Sequence, residues 1–280
     1  PVAINFALFM KFPAVILFCL ILLTGCQSIN KVLKSTDPQY KLRMAEQYYA
    51  NKKYNLAQQV YEDIMPAFRG QPEFEDIYYK YAYTAYHQKD YLNAENLFKG
   101  YLEIFSTSPR AEEVDFMRAY TFYKQSPKPA LDQTATRKAI GMFQTFINTH
   151  PGSPRNKEAN EIIDQLRGKL ETKDLQSAQL YYDIGQFRAA AVAFNTMLND
   201  YAESTKADEY NLMAIKSYFR SAELRVEDKK AERFEKVIEE AADFMDRFPQ
   251  SPLAKDVEDF VKQSENNLKI YTNEPVKTTT

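Results

Sequence analysis

Few side chains in this sequence could do covalent or metal chemistry, and their spacing decides which of them could act together. Two cysteines, Cys19 and Cys26, stand in the first tenth of the chain, and two histidines, His87 and His150, stand far apart. Zinc sites need cysteine and histidine at short, paired spacings, and no such spacing occurs. Neighbouring carboxylates occur at Glu112-Glu113 and Glu239-Glu240. Adjacent helical positions point to different sides, so neither pair converges on one substrate and both read as solvated faces. With 7 glycines in the whole chain, no phosphate-cradling loop is present. His150 reads as a packing or helix-end residue and His87 as a solvated turn residue. The expectation is a protein that is not an enzyme and has no metal site and no cofactor.

The cysteines point to an address instead. Met10-Lys11 precedes an apolar run from Phe12 to Leu23, then Leu23-Thr24-Gly25-Cys26. A positive residue, a short apolar stretch and small residues before a cut read as a secretory signal. The run is shorter than the ~20 residues of a membrane span. An anchor beginning near Val2 is the alternative, and Lys11 inside it argues against it. Residues 1–25 are therefore taken as a signal region with its start at Met10. The four residues ending at Cys26 resemble the bacterial lipobox. Small residues let a peptidase reach the backbone, and only a thiol can form the thioether to diacylglycerol. That resemblance implies that Cys26 carries S-diacylglycerol and N-acyl lipid, while Cys19 is discarded. Gln27 in place of an aspartate resembles outer-membrane sorting. Residues 26–36 are expected to be a lipidated tether.

Composition fits a helical body. Of 280 residues 45% are hydrophobic, and 36 Lys plus Arg against 38 Asp plus Glu leave a formal charge of −2. That balance offers no basic patch for nucleic acid and no acidic tail. Low glycine disfavours turn-rich β folds, while 20 tyrosines and 19 phenylalanines without tryptophan suit many similar helical layers. Both cysteines precede the body, so no internal disulfide supports it.

Self-similarity organises that body. Ala45, Tyr48, Tyr54, Ala57 and Tyr61 recur at the same offsets as Ala82, Ala85, Tyr91, Ala94 and Phe98, and again as Ala178, Tyr181, Phe187, Ala190 and Phe194. Small residues let paired helices cross closely and aromatics fill the space between layers. A second marker follows each second helix: Phe68, Phe105, His150, Tyr201 and Phe248. Beyond it come Ser108-Pro109, Ser153-Pro154, Ser204-Thr205 and Ser251-Pro252, expected as an N-cap and the first helical residue. This pattern resembles the tetratricopeptide repeat. The predicted fold is all-α, a right-handed superhelix of about five tetratricopeptide-type helical hairpins, an α-solenoid over 37–270. The repeats are placed at 38–71, 75–108, 112–153, 171–204 and 207–251, followed by a C-terminal helix and a disordered tail at 271–280. A proline-broken loop from Gln125 to Thr134 lengthens the third repeat. The charged stretch Glu223 to Arg233 is expected to lengthen helices in the fifth.

Such a stack predicts a concave groove lined by first helices, suited to peptides. Tyr49, Tyr78, Tyr79, Tyr83 and Tyr86 lie on first helices, where they either face the groove or fill gaps between helices. The lipobox, the repeat number, the stretch Lys31 to Pro38 with Tyr40 and Lys41, and the stretch Ser126 to Ile140 resemble the BamD family, the outer-membrane protein assembly factors of the β-barrel assembly machinery. The resemblance implies a lipid-anchored protein on the periplasmic face of the outer membrane. Its partners would be the POTRA domains of the barrel-forming subunit and the targeting strands of unfolded outer-membrane proteins. Tyr40, Tyr48, Tyr49, Tyr78, Tyr79 and Tyr86 are the peptide-binding candidates, and Arg220 and Arg225 the partner-binding candidates, with solvated surface charge as the bland alternative for the arginines. Two other readings stay open: a tetratricopeptide lipoprotein scaffolding envelope or cell-wall enzymes, and a glycan-binding lipoprotein, which the lack of tryptophan disfavours.

Overall fold

The computed structural model describes residues 29–224 and 229–273, and every regular element among them is a helix. The expected signal region, Cys26, Arg225 and the tail beyond Asn273 lie outside the described residues. Two compact units are present, one comprising the chain to Pro127 with Gln133–Leu166, the other Lys128–Asp132 with the chain from Arg167 onward.

In the first unit, three hairpins follow one another: α1 (Pro38–Ala50) with α2 (Tyr54–Phe68), α3 (Phe74–His87) with α4 (Tyr91–Ile104), and α5 (Ala111–Gln125) with α6 (Thr134–Thr149). Helix α7 (Asn156–Asp183) gives its residues up to Leu166 to this unit and those from Arg167 to the other. The second unit continues with α8 (Phe187–Asp200), α9 (Ala207–Glu223), α10 (Lys230–Arg247) and α11 (Ala254–Asn273). Within each unit helices pack on their neighbours in sequence, the local order of an α-solenoid.

Alanines make this packing possible. Ala45 and Ala57, Ala82 and Ala94, Ala119 and Ala139, Ala178 and Ala190, and Ala214 and Ala241 are each at most 1% exposed. A methyl group at each crossing lets the backbones approach, and the rings of Tyr61, Phe98, Phe143 and Phe194 close the space beside them, all at 0% exposure. Each ring so buried is worth about 1.5–3 kcal/mol. One ring departs from the pattern: Tyr181 is 43% exposed. Its neighbour Tyr182, one helical step round, packs on that core and meets Phe187 edge-on at 5.1 Å.

The turns repeat as faithfully as the cores. After α1, Lys53 N–H donates to Tyr48 O and Lys52 N–H to Tyr49 O, at 2.8 and 2.9 Å. The same crossed pair recurs at Asp90 and Lys89, and at Gln186 and Gly185. This Schellman closure needs one left-handed residue, supplied by Lys52 (φ 57°), Lys89 (φ 63°) and Gly185 (φ 76°).

The hairpin ends correct one expectation. Phe105, His150, Tyr201 and Phe248 are C-caps, with φ between −118° and −127°. The serines that follow are not N-caps, because the next helices begin at Ala111, Asn156, Ala207 and Ala254. Each serine instead closes a turn. Its Oγ accepts from the N–H two residues on, at 3.0–3.2 Å. It also donates to a carboxylate on the preceding hairpin's first helix, Glu75, Glu112, Glu171 or Asp208, at 2.5–2.7 Å. Serving both partners holds the serine outside the helix, so the residue after it, proline at three of the four positions, sits in the turn. Asp37, before Pro38, does cap a helix in the expected way, accepting from Gln39 N–H at 2.9 Å.

Two further segments differ in detail. The supposed tether is folded from Ile29: residues 29–33 form a helical turn, and Val32 is 1% exposed. Ile29 and Leu33 pack on the first core beside it. Apolar residues at these three positions share one face of a turn, which is why the segment docks. In the fifth repeat α9 and α10 run to 17 and 18 residues, and residues 225–228 between them lie outside the described part.

Candidate functional site

The first helices of the first unit present a run of tyrosines near the turn ends of their hairpins. Tyr49, Tyr86 and Tyr123 occupy equivalent places in three successive repeats, equally spaced in sequence. Each is half-buried. Tyr49 meets Tyr54 edge-on at 5.6 Å and His87 at 6.3 Å, while His87 stacks flat on Tyr54 at 4.3 Å and 17°. From His87 the rings continue through Tyr83 at 6.0 Å and Tyr86 at 5.6 Å. Tyr86 then lies 6.4 Å from Tyr120, which is 5.2 Å from Tyr123. Lys124 holds its ammonium over Tyr120 and Tyr123, 4.9 and 5.6 Å from the ring centres. Burial pushes the Tyr49 hydroxyl up to about 12, so at neutral pH it is a protonated donor. Burial and then Lys52 hold the His87 ring below the ordinary histidine range, which keeps it neutral there.

Beside this ladder runs a polar network that is satisfied internally. Tyr61 donates to Glu46 at 2.9 Å, and Lys80 bridges Glu46 and Asp76 at 2.5 and 2.7 Å. Arg110 pairs with Asp76 at 2.9 Å and lies over the Tyr79 ring at 4.5 Å. Tyr79 and Tyr83 both donate to Glu113 Oε1, at 3.0 and 2.7 Å. The network ties α1, α3 and α5 together. Burial first, then the charge of Glu113, raises the Tyr79 hydroxyl, and burial and the bond to Glu113 raise that of the partly buried Tyr83.

The structure separates the sequence candidates. Tyr49 and Tyr86 belong to the ladder. Tyr48 does not, since at 5% exposure its ring lies in the core. Tyr78 is engaged where α3 crosses α4, against Phe74, Tyr101 and Phe105. Tyr79 serves the polar network, and Tyr40 lies apart, packed on the first core. In the second unit Arg220 pairs with Glu223 on its own helix at 2.7 Å and reaches over Phe187 at 5.5 Å. An exposed pair of that kind is worth a few tenths of a kcal/mol. His150, half-buried, meets Asp115 at 3.3 Å and Phe146 at 4.9 Å, as a helix-end residue would. Tyr54, Tyr120, Tyr123, Lys124 and His87 were missing from the candidates. The equal spacing of Tyr49, Tyr86 and Tyr123 is the signal that finds the position.

Among the described residues no group of His, Cys, Asp and Glu could hold a metal ion, and no helix is long and apolar enough to cross a membrane. The surface can hold a segment by ring contact and by phenol and ammonium hydrogen bonds, and those groups carry no reacting pair.

No curated protein matches the chain. Among solved structures it is similar to the TPR2AB domain of yeast Sti1 in complex with pHSP90, at 10% identity over 81% of this chain and 98% of that one, with TM-score 0.37. It is also similar to a TPR-repeat protein of Bacteroides fragilis, at 13% identity over 83% and 100%, with TM-score 0.39. The profile of the YfiO family, described as outer membrane lipoprotein, matches residues 36–233. That match spans well over half of the chain, which therefore belongs to the YfiO family of outer membrane lipoproteins.

Proposed function

We propose that this family member is a non-catalytic scaffold of the outer-membrane β-barrel assembly machinery, anchored through acylated Cys26 to the periplasmic face of the outer membrane. In this reading the first unit receives targeting strands of unfolded outer-membrane proteins. The second unit, with Arg220 and Arg225 as candidates, meets the POTRA domains of the barrel-forming subunit.

The observation that carries the reading is the tyrosine ladder. An extended strand shows side chains on one face about 7 Å apart, comparable with the 5.2–6.4 Å between successive rings from Tyr49 to Tyr123. Half-buried rings, held by their neighbours, bind apolar or aromatic side chains at little entropic cost, and their hydroxyls serve the strand's unpaired backbone groups. The family's description as outer membrane lipoprotein supports the location, and the Leu23-Thr24-Gly25-Cys26 sequence supplies the attachment chemistry.

Affinity purification of the full-length protein from detergent-solubilised outer membranes tests the partner. The barrel-forming subunit is expected to co-purify, and depletion is expected to lower the level of folded barrels. A cell-wall hydrolase recovered in its place, with barrel levels unchanged, would replace this reading with that of an envelope scaffold.

A further inference from the structure

The foot of the first unit carries a feature that the scaffold role leaves unused. The helical turn at 29–33 is pinned by Ile29, Val32 and Leu33, which pack on the core, Val32 at 1% exposure. Its other face presents Asn30, Lys31 and Lys34, all exposed. With Ser35 and Tyr40 these residues line an open depression of roughly 780 Å³. Among the described residues no carboxylate pairs with Lys31 or Lys34, whereas the nearby Lys41 is held by Asp63 at 2.5 Å. The carboxyl of Asp37 is occupied as the cap of α1.

We propose that this depression binds the phosphate of an anionic phospholipid headgroup. The inference rests on Cys26 being the lipid anchor. Two residues, Gln27 and Ser28, separate Cys26 from the docked Ile29, and three chain steps span at most about 10 Å. That is one Debye length at moderate salt, so an anchored chain holds both lysines within electrostatic reach of the headgroup layer. The lysines cannot retract, because the turn bearing them is packed. Their ammonium groups, the Asn30 amide, the Ser35 hydroxyl and the Tyr40 phenol form a set of donors suited to a phosphodiester. A neutral headgroup keeps its own cation beside the phosphate and gains less from the lysines, so the site discriminates by net lipid charge.

Amide hydrogen exchange over residues 30–40 tests this, with the acylated full-length protein in phosphatidylglycerol vesicles and in phosphatidylcholine vesicles. At about 1 kcal/mol per basic residue near an anionic surface, each lysine is worth roughly fivefold. Exchange is expected to slow at least several-fold in the anionic vesicles, and the Lys31→Glu, Lys34→Glu double variant is expected to lose the slowing. Equal exchange in the two vesicles overturns the proposal, as does slowing that survives in the variant. Inorganic phosphate added to the phosphatidylcholine sample is expected to do nothing. If it gives the same slowing, the site takes free phosphate and the lipid assignment falls. Intact mass reports the anchor separately. A chain without acyl mass overturns the anchoring reading and this inference with it, whereas an acylated chain with equal exchange overturns this inference alone.

Discussion

Glu75 shows how much one side chain decides in this fold. Ser108 Oγ and Tyr101 Oη both donate to its Oε1, at 2.6 and 2.7 Å, and these two bonds hold the carboxyl below the ordinary glutamate range. The same contact, after burial, pushes the Tyr101 hydroxyl up to about 12. A depressed carboxyl stabilises the fold at every pH above its unfolded value, and that contribution is lost as pH falls through the folded value. Ser108→Ala removes one donor, so the folded value rises toward the ordinary one. The expected cost at neutral pH is about 1 kcal/mol, modest because the carboxylate is half-exposed and screened. The deficit relative to the parent should shrink on acidification, as both lose the charge. Urea unfolding at neutral pH and near pH 3, well below the reference value of a glutamate, measures this. A deficit of the same size at both would mean that the serine acts only through its bond to Arg110 N–H.

Gly100 on α4 belongs to the scale of the helix pair. A Cβ built there would collide with the Tyr78 hydroxyl from α3 while standing 3.5 Å from Cζ, so the conflict is with one oxygen. Gly100→Ala alone is expected to destabilise by about 1–3 kcal/mol, the usual cost of overpacking. In a Tyr78→Phe background the oxygen is gone and the remaining contact is ordinary. There the same substitution should stabilise by up to about 1 kcal/mol through helix propensity. A double-mutant cycle by thermal unfolding separates the two; the same sign in both backgrounds would show that the ring moves aside freely. The sequence disclosed this level best where a position tolerates one size only. The alanine crossings were legible because a closely packed pair excludes anything larger, and all ten alanines named for them lie at 0 or 1% exposure. Tyr181 was misread because a template of fixed offsets cannot show a 100° step around the helix, and Tyr182 fills its place. The serine turns were misread because Ser-Pro is also a cap signature, and the carboxylate that recruits each serine lies 33 to 43 residues earlier. Lys52 and Lys89 adopt the left-handed turn where Gly185 does, so composition alone conceals two of these three turns.

Across the first unit as a whole, the ladder was only half legible. Tyr49 and Tyr86 could be named as tyrosines on first helices, but nothing local distinguishes them from Tyr48 and Tyr78. What separates them is the side of the helix, fixed by packing: Tyr48 points into the core, while Tyr49 turns toward Tyr54 and His87. Its repetition at Tyr86 and Tyr123 makes a surface of what would otherwise be a single exposed ring. Such a surface should bind cooperatively along an extended segment, since each aromatic contact is worth about 0.5–1.5 kcal/mol beyond its area. Tyr49→Ala, Tyr86→Ala and Tyr123→Ala combined should weaken binding of a peptide from the C-terminal strand of an outer-membrane barrel by roughly 2–4 kcal/mol, some 30-fold or more. Each single substitution should take an intermediate share. Because the three rings are half-buried and contribute little to the alanine crossings, helical circular dichroism should persist. Co-purification of the barrel-forming subunit should persist too, since the proposal gives that partner to the second unit. Fluorescence anisotropy of a labelled peptide measures the loss. An unchanged affinity in a folded triple variant would remove strand capture from the ladder and leave the rings as packing between hairpins.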